Sequence, residues 1–377
     1  FVLRVWLMKI VLLTRHFPPA VSGGARRPYL WAKGLMANGA DVFVIAPDIP
    51  GDIAGHAVPH PFRDPPTGLP GRKTLRDHAR DLLLWPDPDI RWTQRAIAGA
   101  KAACPFDPDW ILTTSPPESV HAAGSALLDH WPNAKWAVDA RDHWLVRPFR
   151  KQRLNPIRKQ IEQAFARRML SPARAIFAVN DLIRDEFACY APKARCESLP
   201  HFVARPPEPY KFDGSGPHLV HTGSFKMSDP DVSILPLLAA FEAVAARKPD
   251  LRLHLAGRLR DDEQAAVDAS PVRDQIVTHG IVVLETALAM QAGADALIVC
   301  AAPEAPVPPG KLNEYRATGV PIIPVGPGAW RAQVDDDPRS DTERLDAVTP
   351  LNAPSAPAGV LFEEQAMAQV LKRLEAL

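Results

Sequence analysis

Ten apolar runs of strand length, separated by stretches with helical spacing, constrain this chain more than any other feature. Five lie in the first half, at 10–13, 42–46, 110–113, 136–138 and 176–179, and five in the second, at 219–221, 251–256, 276–277, 296–300 and 321–325. Helical patterns lie between them, among others at 26–38, 119–130, 232–247 and 285–292. A strand that is apolar throughout, rather than at every second position, is buried on both faces. Parallel sheets with helices above and below meet that requirement, and alternating strands and helices build them. The predicted fold class is α/β, with two doubly wound, Rossmann-like domains, and 377 residues suffice for two domains of ordinary size. The expected division is an N-terminal domain over 8–198, a proline-rich linker over 199–217, a C-terminal domain over 218–360 and a final segment over 361–377. An amphipathic helix begins near Glu363 in that last segment, and packing back on the N-terminal domain is one arrangement open to it.

Composition removes several function classes. The net charge of +1 argues against a general nucleic-acid binder. The four cysteines, Cys104, Cys189, Cys196 and Cys300, show no C-x-x-C spacing, and the twelve histidines are scattered, so no zinc pattern emerges. Reduced thiols in a cytoplasmic protein account for them most simply. No apolar run reaches the length of a membrane span. The opening FVLRVWLMKIVLL is apolar, but no small-residue cleavage site follows it before Arg15 and His16. Met8 is the expected natural start, with 1–7 as an upstream extension. The 41 prolines cluster near 47–70, 105–117, 200–209, 303–309 and 350–357, which read as loops.

In doubly wound folds ligands sit beyond the carboxyl ends of the strands, and this rule selects the loops that matter. The richest is VPPGKLNEYRATGVPIIPV, from Val307 to Val325. There Gly310 permits close backbone approach, Lys311 adds a cation at a helix start, and Glu314 stands one turn further on. A cation, a helix start and a carboxylate together suit a ligand with both phosphate and sugar; a surface loop leading into a proline-broken strand fits the same residues. Gly23 and Gly24 after the first run, and Gly223 and Ser224 in His221-Thr222-Gly223-Ser224-Phe225, offer backbone donors to a phosphate or form plain tight turns. Arg258 can fork onto phosphate oxygens or simply face water. Asp139-Ala140-Arg141-Asp142-His143-Trp144 places two carboxylates, a guanidinium and an imidazole behind a strand. Asp139 or Asp142 suits a base or a hydroxyl binder, and His143 a proton shuttle or a cap on a sugar. An internal Asp–Arg ion pair that stiffens the loop is the alternative. Ser115, followed by His121, lacks the elbow of a nucleophilic serine, and Ser119 fits a helix N-cap equally well.

With these loops read, the chain resembles the retaining glycosyltransferases of the family 4 type, in a branch associated with bacterial surface-polysaccharide assembly. The resemblance runs from Met8 to the end. It rests on MKIVLLTRHFPPAVSGGARRPYLWAKGL, DWILTTSPPESVHAAG, WAVDARDHW and AVNDLIRDEF, and then on HTGSF, HLAGR, THGIVVLETALAMQAGADALIV and PPGKLNEYRATGVPII. It implies a GT-B fold, two Rossmann-like domains facing across a cleft, and a nucleoside-diphosphate sugar, UDP- or GDP-linked, as donor, with no cofactor. By the same resemblance Gly23 and Gly24 face the donor phosphates and the acceptor, and Gly223 and Ser224 approach the diphosphate. Arg258 and Lys311 neutralise the leaving nucleotide in place of a metal, Glu314 holds the ribose, and the backbone of Gly280, Ile281 and Val282 reads the base. The family's first motif glutamate would fall at Pro306, and Glu304 stands two positions off, so the donor sugar is left open. Retention by same-face attack, with the departing phosphate taking the acceptor proton, is the expected course. Asp142 and His143 then position the acceptor, with Ser115, His121, Asp139 and Arg141 on the acceptor side.

A glycan or lipid-linked acceptor is the expected partner. Between 147 and 168 the chain carries Arg147, Arg150, Lys151, Arg153, Arg158, Lys159, Arg167 and Arg168 against Glu162, interleaved with Ile157, Ile161, Ala164 and Phe165. Such a stretch suits the inner face of an anionic membrane or an ordinary solvated helix. The segment 51–71, with five prolines, reads as a mobile acceptor-side loop or as plain disorder. A sugar-nucleotide epimerase and a non-catalytic nucleotide- or glycan-binding protein of the same architecture are the two other readings.

Overall fold

The computed structural model describes residues 7–20, 23–60, 86–145, 156–226, 230–305, 308–357 and 359–377. The chain divides into two units, Phe1–Phe202 with Leu361–Leu377, and Val203–Val360.

The first unit is built on a seven-stranded sheet. Its strands are β1 (Lys9–Thr14), β2 (Asp41–Ala46), β3 (Gly55–Ala57), β4 (Trp110–Ser115), β5 (Lys135–Ala140), β6 (Ala175–Ala178) and β7 (Arg195–Ser198). They lie in the order β3-β2-β1-β4-β5-β6-β7, and all six pairings are parallel. The helices are α1 (Gly23–Ala37), α2 (Ile90–Ala103), α3 (Val120–Leu128), α4 (Pro156–Leu170) and α5 (Asp181–Tyr190). All five apolar runs of the first half lie on strands. β3 and β7, whose sequences GHA and RCES carry no apolar run, are the two edges of the sheet, where burial on both faces is not required.

The second unit holds β8 (His218–Thr222), β9 (Arg252–Ala256), β10 (Ile276–Gly280), β11 (Ala296–Val299) and β12 (Ile322–Pro324), parallel and in the order β10-β9-β8-β11-β12. Its helices are α6 (Leu235–Ala245), α7 (Asp261–Asp268), α8 (Leu284–Ala292), α9 (Leu312–Thr318) and α10 (Asp341–Asp346). The helical pattern at 232–247 forms α6 three residues late, because Pro236 sits in the first turn, where a missing N–H costs nothing. The last helix, α11 (Glu363–Glu375), belongs to the first unit and packs against α1. Gly34 makes that contact possible: a Cβ there would lie 2.6 Å from Met367 Cγ and 2.9 Å from the Glu363 carbonyl.

Two buried features brace the first unit. Arg27 on α1 forms an ion pair with Asp139 on β5 at 2.8 Å, with side-chain exposures of 4% and 0%. Arg27 also donates to the carbonyls of Leu199 and Pro200, and Thr114 donates to Asp139 at 2.8 Å. Pro28, inside α1, has no N–H to give the Gly24 carbonyl one turn back. The guanidinium of Arg141 donates to that carbonyl instead, and further to the carbonyls of Ser115 and Pro116.

Both units bury neutral histidines. Burial pushes His121 down to about 3, and in the second unit His254 also to about 3. His254 lies in a row, 3.0 Å from His218 and 3.1 Å from His279, beneath the ring of Phe212. The unfolded chain binds protons at these sites from pH ~6.5 downward, and the folded chain does not until near its lowered value. Stability is therefore full above pH ~6.5 and falls below it, by about 2 kcal/mol per such histidine at pH ~5. Urea midpoints compared at neutral and mildly acid pH check this; equal midpoints would contradict it.

Candidate functional site

In the second unit the chain steps outward from β8 to β9 and β10, then returns to the other side of β8 as β11. The carboxyl ends of β8 and β11 thus form a topological switch point, where the loops diverge and leave a crevice. A cavity of about 350 Å³ lies there, lined by Ser224 and Phe225 after β8, by Cys300 and Ala301 after β11, and by Gly310 and Lys311.

Lys311 is fixed by two acceptors. Its Nζ donates to the Thr222 carbonyl at 2.7 Å and lies 3.2 Å from His221 Nε2. His221 Nδ1 lies 3.0 Å from the Ile298 carbonyl, and a carbonyl only accepts, so Nδ1 carries the ring proton and Nε2 a lone pair. Burial, and then the Lys311 charge, hold His221 well below the ordinary imidazole range, so the ring is neutral. It stacks on Phe225 with centroids 4.2 Å apart. Thr222 is anchored in turn: its N–H donates to Tyr315 Oη at 2.9 Å, and Gln291 donates to its hydroxyl at 2.8 Å.

The glycines follow from this crowding. Gly223 has φ +98°, and a Cβ there would stand 3.1 Å from Lys311 Nζ. A side chain at Gly257 would lie 2.2 Å from the Gly223 carbonyl. The loops after β8 and β9 therefore touch backbone to backbone beside the ammonium, which only glycine allows.

Ser224 and Lys311 thus line one cavity, and Gly223 lies beside the ammonium. Glu314 stands three residues after Lys311 on α9 and is buried. Arg258 lies two residues beyond β9 and is half-buried. Gly280, with φ +63°, closes β10 at the edge of the sheet, two strands from β8. Ile281 beyond it is exposed, and Val282 packs partly on the core. Pro306 lies outside the described residues, and Glu304 is exposed.

The first unit has its own switch point, between β1 and β4. Arg141 draws Gly24 and Ser115 together there through their carbonyls, and Gly23 starts α1 beside them. The ion pair read within the Asp139–Trp144 loop is corrected by the geometry: Asp139 pairs with Arg27, because the Arg141 guanidinium is spent on three carbonyls. Asp139, Ser115 and His121 are enclosed side chains. His121 contacts Thr113 Oγ1 at 2.9 Å, and its Nε2, like Ser115 Oγ, is buried without a hydrogen-bond partner among the described residues. Asp142, by contrast, is exposed. His143 Nδ1 lies 2.6 Å from Glu186, which also accepts from the Leu145 N–H at 2.6 Å and the Tyr190 hydroxyl at 3.0 Å.

The sequence reading passed over an Asp-x-Asp pair at the mouth of this unit. Asp89 meets Arg15 at 3.1 Å and His60 at 2.7 Å, while Asp87 accepts from the Ser119 N–H and hydroxyl at 2.8 and 2.7 Å. Ser119 thus precedes α3 without capping it. Among the described residues no group of three or more metal-ligating side chains converges.

Of the basic stretch, Arg147, Arg150, Lys151 and Arg153 lie outside the described residues, as does most of 51–71. In α4, Lys159, Ile161, Ala164, Arg167 and Arg168 are exposed, and Glu162, Ala166, Met169 and Leu170 form the buried side. No helix among the described residues is long and apolar enough to cross a membrane.

No family model and no curated protein sequence matches this chain. Solved structures do. The Anabaena protein HepE, crystallised in complex with UDP, aligns with a TM-score of 0.59 and 12% identity, over 98% of this chain and 100% of its own. AviGT4, a glycosyltransferase involved in avilamycin A biosynthesis, aligns with a TM-score of 0.53 and 16% identity, over 98% and 97%. A candidate UDP-N-acetylglucosamine 2-epimerase from Listeria monocytogenes aligns with a TM-score of 0.56 and 12% identity, over 98% and 96%. At such identities the likeness is one of architecture: two parallel-sheet α/β units in the GT-B fold.

Proposed function

We propose that this chain is a glycosyltransferase that moves a sugar from a nucleoside-diphosphate sugar to a glycan or lipid-linked acceptor, with retention of anomeric configuration and without a metal. The observation that carries the proposal is the Lys311 ammonium, held by the His221 ring and the Thr222 carbonyl beside Gly223, at the cavity where β8 and β11 end. That HepE was crystallised with UDP and that AviGT4 is a glycosyltransferase supports a donor of this class.

The bond between the anomeric carbon and the diphosphate oxygen breaks with its electron pair leaving on the phosphate. Lys311, Arg258 and the N–H groups of Gly223 and Ser224 stabilise that charge as it grows. Glu314 accepts from the ribose hydroxyls, and the backbone of Gly280, Ile281 and Val282 meets a uracil or guanine. The acceptor oxygen attacks the face the phosphate leaves, and its proton passes to the departing phosphate oxygen. Asp142 and His143 position the acceptor, with Gly23 and Gly24 close to the transferred sugar. Arg141, Asp139, Ser115 and His121 support that surface from behind. The exposed basic side of α4 faces the inner leaflet of an anionic membrane, where a lipid-linked acceptor is found.

Purified protein incubated with UDP- and GDP-sugars, with and without membrane lipid extract, tests this. The expected result is nucleotide release that depends on the acceptor, and a product with the donor's anomeric configuration. Epimerised donor without acceptor, or binding without turnover, would each contradict it.

A further inference from the structure

We propose that His221 is a positioning residue for the donor diphosphate: its imidazole, fixed in the Nδ1–H tautomer, holds the Lys311 ammonium at the mouth of the cavity. This rests on the donor-site reading above. The argument begins with the sheet. Ile298 lies on β11, beside β8, and its carbonyl claims the ring's only proton. The opposite nitrogen is left as a pure acceptor, and Lys311 can only donate to it. The ring cannot rotate away, because it stacks on Phe225 with an interplanar angle of 11°. Nor can it take a proton without setting two cations 3.2 Å apart in a buried site. Lysine is a flexible point charge rich in rotamer entropy, and a fixed acceptor beside the site removes much of that before the ligand arrives.

Two variants separate aim from mere packing. His221→Phe keeps an aromatic ring on Phe225 but presents no lone pair. His221→Gln can place its side-chain carbonyl where Nε2 was and keep an acceptor for Lys311. Calorimetric titration of the full chain with UDP and with GDP is expected to show binding weakened about tenfold or more in His221→Phe, near wild type in His221→Gln, and unaffected by His221→Phe once Lys311 is already methionine. Equal loss from His221→Phe in the Lys311→Met background, or a His221→Gln protein as weak as His221→Phe, would overturn the proposal. A second measurement needs no nucleotide. In ¹⁵N-histidine spectra of the free protein, with the His221 signals assigned by their loss in His221→Phe, the Nδ1–H tautomer should persist from pH ~8 to pH ~5. An Nε2–H tautomer, or an imidazolium at pH ~6, would overturn the positioning role by itself. Failure of both nucleotides to bind the wild type overturns the donor reading and with it the aim given to Lys311.

Discussion

On the proposed function, Lys311→Met is expected to lower sugar transfer by about 10²–10³-fold, the effect of removing one preorganised donor from a developing oxyanion. The fold survives it. The ammonium leaves two acceptors behind, the Thr222 carbonyl and His221 Nε2, which costs about 1 kcal/mol of stability. The separation between a large catalytic loss and a small structural one is the signature to look for. Steady-state rates with the preferred donor, set against thermal melting of the same preparation, measure both. Glu314→Ala should also lose most transfer, through donor binding rather than through the departing charge, so its loss falls mainly in KM. Wild-type rates in both variants would remove the donor site as proposed.

Arg27→Met is the most destabilising single change expected in the first unit, by about 3–5 kcal/mol. It strands the Asp139 carboxylate, which is fully buried and keeps, among the described residues, only the Thr114 hydroxyl, and it also frees the carbonyls of Leu199 and Pro200. The compensating change Asp139→Leu, made together with Arg27→Met, should recover much of the loss, because a buried ion pair costs more when halved than when replaced whole. Urea unfolding of the two single variants and the double one checks this. A double variant no more stable than Arg27→Met alone would show that the pair is not what the change disrupts.

These two sites mark how far the sequence could be read. Eight inner strands are legible because burial on both faces leaves an unbroken apolar run, and β10 and β12, the edges of the second sheet, keep short apolar runs as well, whereas β3 and β7, the edges of the first sheet, leave no such trace. Helix α2 leaves a weaker pattern, because its buried side is Trp92, Thr93, Ala96 and Ala100, small or mixed residues that do not stand out as an apolar stripe. The meeting of Gly223, Ser224 and Lys311 follows from a general rule about strand ends, which needs only the order of elements. What the rule cannot supply is partnership at long range. His221 reads as one more strand residue until a carbonyl 77 residues away fixes its tautomer. Arg27 reads as a solvated helix residue until a carboxylate 112 residues on claims it. For the same reason an ion pair inside the Asp139 loop stood as an open alternative, when its arginine serves the carbonyls that Pro28 and the Ser115-Pro116 turn leave unmatched.

The most direct measurement is a crystal of this protein soaked with UDP or GDP. The diphosphate should lie within hydrogen-bonding distance of Lys311 Nζ and of the N–H groups of Gly223 and Ser224. A nucleotide bound away from the ends of β8 and β11, or none bound at all, would contradict the account and leave only the GT-B architecture standing.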